Sequence, residues 1–228
     1  MTNFQSLSLY YPEIFLALVI LVSLVQDLFL KKAQSWRVGL TVSIGLAIVA
    51  LIILNQGGQP TTLFTEMVVL DPFSKFFKII FIIATILIII SSFINLELKD
   101  YSTGEYFTLI GILTFGLFLM SSAIDLLMLY ISIEIVSIIS FILVGYLKLD
   151  TRSNESSLKY VLYGAFSSGI MLYGLSLLFG ITGSTNYFEI QKVLFNLDSS
   201  SDAVLIMSLL MIFAGFGYKI SSVPFHSW

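Results

Sequence analysis

Residues 127–146 read LMLYISIEIVSIISFILVGY and contain a single charged side chain, that of Glu134. A helix of this composition is long enough to cross the hydrocarbon core of a membrane, which takes about 20 residues. Glu134 has about ten apolar or small residues on each side, so its carboxylate cannot extend to either surface. An ionisable group held at that depth is costly, which makes Glu134 a candidate functional residue.

The composition extends this interpretation to the whole chain. Of the 228 residues, 57% are hydrophobic and 11% charged, and the mean hydropathy is +0.99. A soluble domain needs more polar cover than that. The net charge of −3 is small, and the sequence has no basic patch of the kind that binds nucleic acid. The absence of cysteine and the single histidine exclude disulfides, iron–sulfur clusters, thiolate zinc sites and a bis-histidine haem held by this sequence alone.

Seven apolar runs are long enough to span a membrane. They lie roughly at 11–30, 38–54, 73–94, 105–121, 124–147, 156–180 and 203–228. The first run lacks the basic flank and small-residue cleavage site of a signal peptide, so we expect a retained helix. The sequence therefore predicts an all-α polytopic membrane protein with about seven transmembrane helices in one membrane domain.

Lysine and arginine are distributed unevenly between the two sides that strict alternation of the spans defines. One side holds Lys31, Lys32, Arg37, Lys99, Lys148 and Arg152, whereas Lys75, Lys78 and Lys192 fall on or near the other. Short loops rich in these residues stay in the cytoplasm, or in the matrix of a mitochondrion. We therefore expect the first side to be cytoplasmic and the N-terminus to be outside.

The seventh run is interrupted by the sequence GFGYKISSVPFHSW at residues 215–228. Breaks of this kind are tolerated in a membrane only against protein or a water-filled cavity, and they recur in ion transporters. Lys219 lies about 24 Å into this run, and Glu134 lies about 15 Å into a run of the same direction. Both depths are near the middle of the bilayer, so the two side chains are predicted to lie within reach of an ion pair.

A lysine paired with a carboxylate inside a membrane suits proton transfer. Burial disfavours the ammonium charge and a nearby carboxylate favours it, so neutralising Glu134 would switch Lys219 from holding a proton to releasing it. Lys159, in SNESSLKYVLYGAF, is a candidate relay, and His226 titrates near neutrality and would extend the path. The alternatives are a structural carboxylate, snorkelling lysines and a hydrogen-bonded structural histidine.

These segments resemble the antiporter-like subunits of complex I, the NADH–quinone oxidoreductase, and in particular subunit N (subunit 2). PEIFLALVILVSLVQDLF resembles the start of subunit N, and LDPFSKFFK resembles the beginning of the family's third span. Residues 105–146 resemble the fourth and fifth spans with the key glutamate, here Glu134. SSLKYVLYGAF resembles the sixth span, with Lys159, and GFGYKISSVPFHSW the broken seventh helix, with Lys219 and His226.

The resemblance implies a fourteen-helix fold with two inverted five-helix repeats, each building a half-channel around a charged residue. Residues 1–104 would form an N-terminal three-helix region, and residues 105–228 the first repeat, incomplete at its C-terminus. The family pattern continues past Trp228, so we expect the sequence to belong to a longer protein. The implied function is proton translocation coupled to electron transfer from NADH to quinone. NADH, FMN, iron–sulfur clusters and quinone are expected in partner subunits, and no cofactor in this chain.

Two alternatives stay open at this point. The first is a subunit of a multisubunit sodium/proton antiporter of the same family. The second is a structural or assembly membrane protein, against which three intramembrane ionisable groups and a broken helix argue. An independent enzyme is disfavoured because the sequence has no nucleophile–base set, metal cluster or nucleotide loop. We expect a bacterial inner (plasma) membrane location, or else the mitochondrial inner membrane.

Overall fold

The computed structural model describes residues 3–31, 34–57, 59–94, 103–196 and 201–223. Its elements in chain order are α1 (Asn3–Leu9), α2 (Tyr11–Phe29), α3 (Trp36–Asn55), β1 (Thr61–Leu63), β2 (Val68–Leu70), α4 (Pro72–Ile94), α5 (Thr103–Ser122), α6 (Leu126–Val144), α7 (Thr151–Thr182), α8 (Tyr187–Phe195) and α9 (Asp202–Lys219). Within these ranges seven helices, α2 to α7 and α9, are long and apolar enough to cross a membrane. The predicted helical membrane fold is confirmed. The bounds of α2 to α7 differ from the predicted ones by at most five residues, whereas α9 ends nine residues before the predicted end of the seventh run.

The seventh span stops where the sequence predicts an interruption. Helix α9 ends at Lys219, and Ser221 adopts a left-handed backbone conformation with φ 52°. The Ser222 N–H then bonds back to the Gly217 carbonyl at 2.8 Å, which closes the turn. Residues 224–228, including Pro224 and His226, lie outside the described ranges.

Four short elements that the sequence did not predict, α1, β1, β2 and α8, meet at one end of the bundle. The strands β1 and β2 form an antiparallel hairpin in which Leu63 pairs with Val68. Helix α1 contacts the hairpin through Ser6, whose hydroxyl accepts from the Phe64 N–H at 3.1 Å. The loop before α8 contacts it through Asn186, whose amide donates to the Glu66 carbonyl at 3.0 Å. We call this end of the bundle the hairpin side; it is the side that the lysine and arginine distribution predicts to be outside.

Helices α2, α3, α4 and α5 share one apolar core. Its fully buried members are Leu16, Val38, Val42, Leu46, Val49, Ile53, Ile82, Ile89, Phe107, Ile110 and Phe118. Gly45 allows α3 to approach α2 closely, because a Cβ at this position would lie 2.4 Å from a methyl carbon of Val19. This four-helix group contains the predicted N-terminal three-helix region together with α5.

Helices α6, α7 and α9 form a second packed group, which α5 joins to the first. Glycines line the contact between α7 and α9. A Cβ on Gly174 would lie 2.8 Å from the Ser208 carbonyl oxygen, and one on Gly215 would lie 2.4 Å from Met171 Cβ. Small residues at such positions let two helix backbones come together where lipid supplies no hydrophobic driving force. This close approach fixes where the end of α9 lies.

Candidate proton-transfer site

Helix α6 holds Glu134 at a depth that its N-terminal cap determines. The Asp125 Oδ1 atom accepts hydrogen bonds from the backbone N–H groups of Leu127 and Met128, at 2.9 and 3.1 Å. The second oxygen of Asp125 accepts from the Thr185 hydroxyl, so the cap also joins α6 to the loop before α8. Glu134 follows nine residues later, about 13 Å into the helix. It therefore lies near the middle of the span, as the sequence predicts.

The structure brings Glu134 and Lys219 together. The Lys219 Nζ atom lies 3.3 Å from Glu134 Oε1 and donates to the Ser137 hydroxyl at 2.7 Å. The Ser168 hydroxyl, on α7, donates to the same Glu134 oxygen at 2.6 Å. The Phe141 ring centroid is 5.8 Å from Nζ, within the range of a cation–π contact. Three helices thus contribute to one cluster of polar groups in the bundle.

The end of α9 is fixed by its contacts with α7. The Ser167 hydroxyl donates to the Gly215 carbonyl at 3.4 Å, and the Tyr218 hydroxyl donates to the Tyr160 carbonyl at 3.3 Å. Lys219 is the last helical residue, where the helix dipole favours a positive charge. The site therefore combines a fixed position for a positive charge with the end of helix α9.

This arrangement allows the pair to change its protonation state. The side chains of Lys219 and Glu134 are 13% and 22% exposed, so neither is sealed from the surface of this part of the chain. The hydroxyls of Ser137 and Ser168 can each donate and accept hydrogen bonds. They can therefore remain bonded whether the carboxylate and the amine are charged or neutral.

Lys159 and His226 are not seen in this cluster. Lys159 is exposed and pairs with Glu155 on the same helix, with an Nζ–Oε1 distance of 2.5 Å and side-chain exposures of 58% and 63%. The structure thus places Lys159 on another face of α7 from the Glu134–Lys219 pair, and its relay role stays a prediction. His226, like Lys32 and Lys99 of the orientation argument, lies outside the described residues.

A second buried ion pair was missed by the sequence reasoning. The Nζ atom of Lys78, on α4, lies 2.5 Å from Oε1 of Glu13, on α2, and the two side chains are only 2% and 1% exposed. Both residues fall near the ends of apolar runs, where charged side chains can extend to the membrane surface, so the sequence does not single them out. A signal was present for Lys78: the run PFSKFFKIIF places it about two helical turns inside its span.

The described ranges contain no group of three or more His, Asp or Glu side chains that could hold a metal ion. A cavity of about 470 Å³ lies beside α8, lined mainly by apolar side chains such as Leu178, Ile190 and Leu194. It offers no charged group with which to orient a polar cofactor.

Comparison with known proteins gives these features a family. Residues 123–228 match the profile described as "NADH:quinone oxidoreductase/Mrp antiporter, TM". "NADH-quinone oxidoreductase subunit N 2" of Chloroherpeton thalassium is 43% identical over 97% of this chain and 44% of its own length. "NADH-quinone oxidoreductase subunit N" of Chlorobium chlorochromatii is 39% identical over 98% of this chain, again with 44% of its own length. The chain thus spans less than half the length of these relatives.

Solved structures show the same fold. A chain of respiratory complex I from Thermus thermophilus matches with a TM-score of 0.75 and 21% identity, over 95% of this chain and 45% of that one. A chain of the membrane-bound sulfane sulfur reductase, an archaeal respiratory membrane complex, matches with a TM-score of 0.77 and 18% identity, over 97% and 46%. With seven apolar helices and bacterial relatives, the chain is a multi-pass inner-membrane protein. Residues 123–228 belong to the family of that profile, and nearly the whole chain is similar to proteins named subunit N of NADH–quinone oxidoreductase.

Proposed function

We propose that this chain is part of a membrane-arm subunit of NADH–quinone oxidoreductase and carries one half of a proton path. The observation that carries the proposal is the Glu134–Lys219 pair at the C-terminal end of α9. The relatives named subunit N match it over nearly its whole length. In this proposal the partners are the other membrane-arm subunits. Oxidation of NADH and reduction of quinone, with FMN and iron–sulfur clusters, occur in other chains.

The pair would act as a proton switch. While Glu134 is a carboxylate, it stabilises the ammonium form of Lys219 across the 3.3 Å contact. A proton arriving at Glu134 neutralises the carboxylate, and the partly desolvated ammonium then loses its counter-charge. Lys219 consequently releases a proton, so one proton enters the pair and one leaves. Helix α9 ends at Lys219, and a helix end within a membrane is tolerated only against protein or a water-filled cavity.

A sodium/proton antiporter is the second candidate, because the family profile also covers Mrp antiporters. The subunit N relatives favour the first candidate. The two differ in the ion that moves. If an imposed pH gradient drives sodium uptake into vesicles without NADH, and a protonophore abolishes that uptake, the chain belongs to a sodium/proton antiporter.

The test uses the full-length gene in its native complex, reconstituted in sealed vesicles. We expect Glu134→Gln and Lys219→Met each to lower NADH-driven proton pumping about tenfold or more, while the complex stays assembled. The matched control is Glu189→Gln, because Glu189 is an exposed carboxylate of α8 that pairs with Lys192 outside the predicted spans. Normal pumping by both variants would show that the buried pair is structural.

A further inference from the structure

The Glu13–Lys78 pair is a second group of ionisable side chains that the proposed path does not use. It lies close to the hairpin side, since Glu13 is in the first turn of α2 and Lys78 in the second turn of α4. Both side chains are almost fully buried, at 1% and 2% exposure. The centroid of the Phe118 ring, on α5, lies 5.9 Å from Lys78 Nζ, within the range of a cation–π contact.

The hydrogen bonds of this pair are incomplete on the carboxylate. Glu13 Oε1 accepts from Lys78, whereas Glu13 Oε2 is buried without a hydrogen-bond partner among the described residues. A pair that served only to fasten two helices would be most stable with every polar atom bonded, because an unsatisfied buried acceptor is costly. An unoccupied carboxylate oxygen is, however, the position at which an incoming proton binds.

Among the residues that the structure describes, Glu13 and Lys78 are the charged side chains of this group. The other titratable side chain recorded against Glu13 is Tyr10, at the start of α2, and the elements α4 and α5 contribute Lys78 and the uncharged Phe118 there. Burial and, to a smaller extent, the Glu13 charge raise the pKa of Tyr10, so its phenol stays neutral at physiological pH. A proton added to Glu13 is therefore not compensated by any other group recorded beside it.

Buried hydroxyl pairs continue from this group toward the opposite side. Thr85, two turns beyond Lys78 on α4, lies 2.9 Å from the Thr114 hydroxyl of α5. Further along, Ser23 of α2 lies 3.1 Å from the Thr108 hydroxyl of α5. Each hydroxyl can both donate and accept a hydrogen bond, as a proton relay requires. Thr114 and Thr108 are about 9 Å apart along α5, so the two hydroxyl pairs lie along one seam, where α5 meets α4 and α2, and are not bonded directly to each other.

We propose that Glu13 and Lys78 form a second proton-exchange site, in the N-terminal helices and close to the hairpin side. A proton from that side binds Glu13 Oε2 and forms an O–H bond, which neutralises the carboxylate. Lys78 loses its counter-charge, and one N–H bond breaks to release a proton toward the hydroxyl seam. The balance is one proton in and one out, with no redox partner. Coupling of this exchange to pumping rests on the proposed function, whereas the exchange itself does not.

The experiment uses the full-length protein in its assembled complex. The variants are Glu13→Gln, the double variant Glu13→Gln/Lys78→Met, and the exposed control pair Glu189→Gln/Lys192→Met. The double variant removes both charges, so it leaves no unpaired buried ion and separates folding from proton chemistry. Infrared difference spectra between neutral and acidic pH report carboxylic acid formation, and vesicles report protons pumped per electron.

We expect the wild type and the control to share a carboxylic acid band that both Glu13 variants lack. We also expect the double variant to pump at least about twofold less per electron while it still reduces quinone. If the infrared spectra of the Glu13 variants match the wild type, Glu13 never takes up a proton and the proposal is overturned. Wild-type pumping by the double variant would overturn its coupling to transport. Failure of the proposed function would appear instead in the Glu134 variants, and the Glu13 band would be unaffected.

Discussion

In the described part of the chain, the two ion pairs that join different helices lie in surroundings of different polarity. Glu13 and Lys78 are 1% and 2% exposed and border the apolar core of α2 to α5. Glu134 and Lys219 are 22% and 13% exposed, and serine hydroxyls from two helices bond to them. The first pair is therefore more strongly desolvated, and the second has more alternative hydrogen-bond partners.

Because of this difference, the free-energy cost of removing one residue of a pair and the cost of changing its protonation state should differ between the two pairs. In a dry site each charge depends almost entirely on the other, so removal of one leaves an uncompensated ion. In the more polar site, hydroxyls remain to stabilise whichever charge is left. We infer that the N-terminal pair contributes more to folding per charge, and that the Glu134–Lys219 pair changes protonation at lower cost.

The largest loss of stability is expected when the lysine of an ion pair is replaced. Lys78→Met leaves the Glu13 carboxylate buried and should lower the free energy of unfolding by roughly 3–5 kcal/mol. Lys219→Met leaves Glu134 bonded to Ser168 and partly exposed, so we expect a loss of about 1–3 kcal/mol. Thermal unfolding of the full-length protein in detergent measures both.

The double variant Glu13→Gln/Lys78→Met provides the control for that comparison. It should recover most of the stability lost in Lys78→Met, because neither charge remains. If Lys219→Met proves the more destabilising of the two single variants, the Glu134–Lys219 site is the drier one in the folded protein, and the inference from exposure is wrong.

The sequence predicted the Glu134–Lys219 pair because depth along a span can be counted. Glu134 has long apolar flanks on both sides, and Lys219 precedes a cluster of helix-breaking residues. It did not predict the Glu13–Lys78 pair, because both residues lie near the hairpin-side ends of their helices. Their burial depends on packing between α2, α4 and α5. These helices are distant along the chain, so a count of apolar residues cannot predict their contacts.

The sequence also did not predict which face of its helix a charged side chain occupies. Lys159 has an apolar neighbourhood similar to that of a buried lysine, yet it is 58% exposed, whereas the next residue, Tyr160, contacts the Phe141 ring. Helix α7 has small and aromatic residues on several faces, so its buried stripe is weakly marked. The short elements α1, β1, β2 and α8 were missed because they are too brief to produce a periodic signal.

An intermediate loss of stability is expected from a substitution at the contact between α7 and α9, the helix that carries Lys219. Gly174→Ala places a methyl group 2.8 Å from the Ser208 carbonyl oxygen, so the helices must separate, at a cost of about 1–3 kcal/mol. Gly169→Ala is the matched control on the same helix, because its Cβ would meet nothing within 4 Å. It should be neutral, or more stable by up to about 1 kcal/mol, because alanine favours helix.

Pumping by the same two glycine variants tests whether the contact positions Lys219. We expect Gly174→Ala to reduce proton pumping more than Gly169→Ala, since any separation shifts the end of α9 relative to Glu134. Equal melting temperatures and equal pumping for both variants would show that the α7–α9 contact is looser than the structure indicates.

The smallest change in stability is expected at the exposed Lys159–Glu155 pair, and this makes the pair informative. An exposed i,i+4 ion pair contributes little to folding, so Glu155→Gln and Lys159→Met should melt like the wild type. If Lys159→Met nevertheless pumps less, Lys159 handles protons directly, because a structural role is excluded by the unchanged melting. If pumping also stays normal, Lys159 only anchors α7 at its membrane end, and the path begins at Glu134 and Lys219.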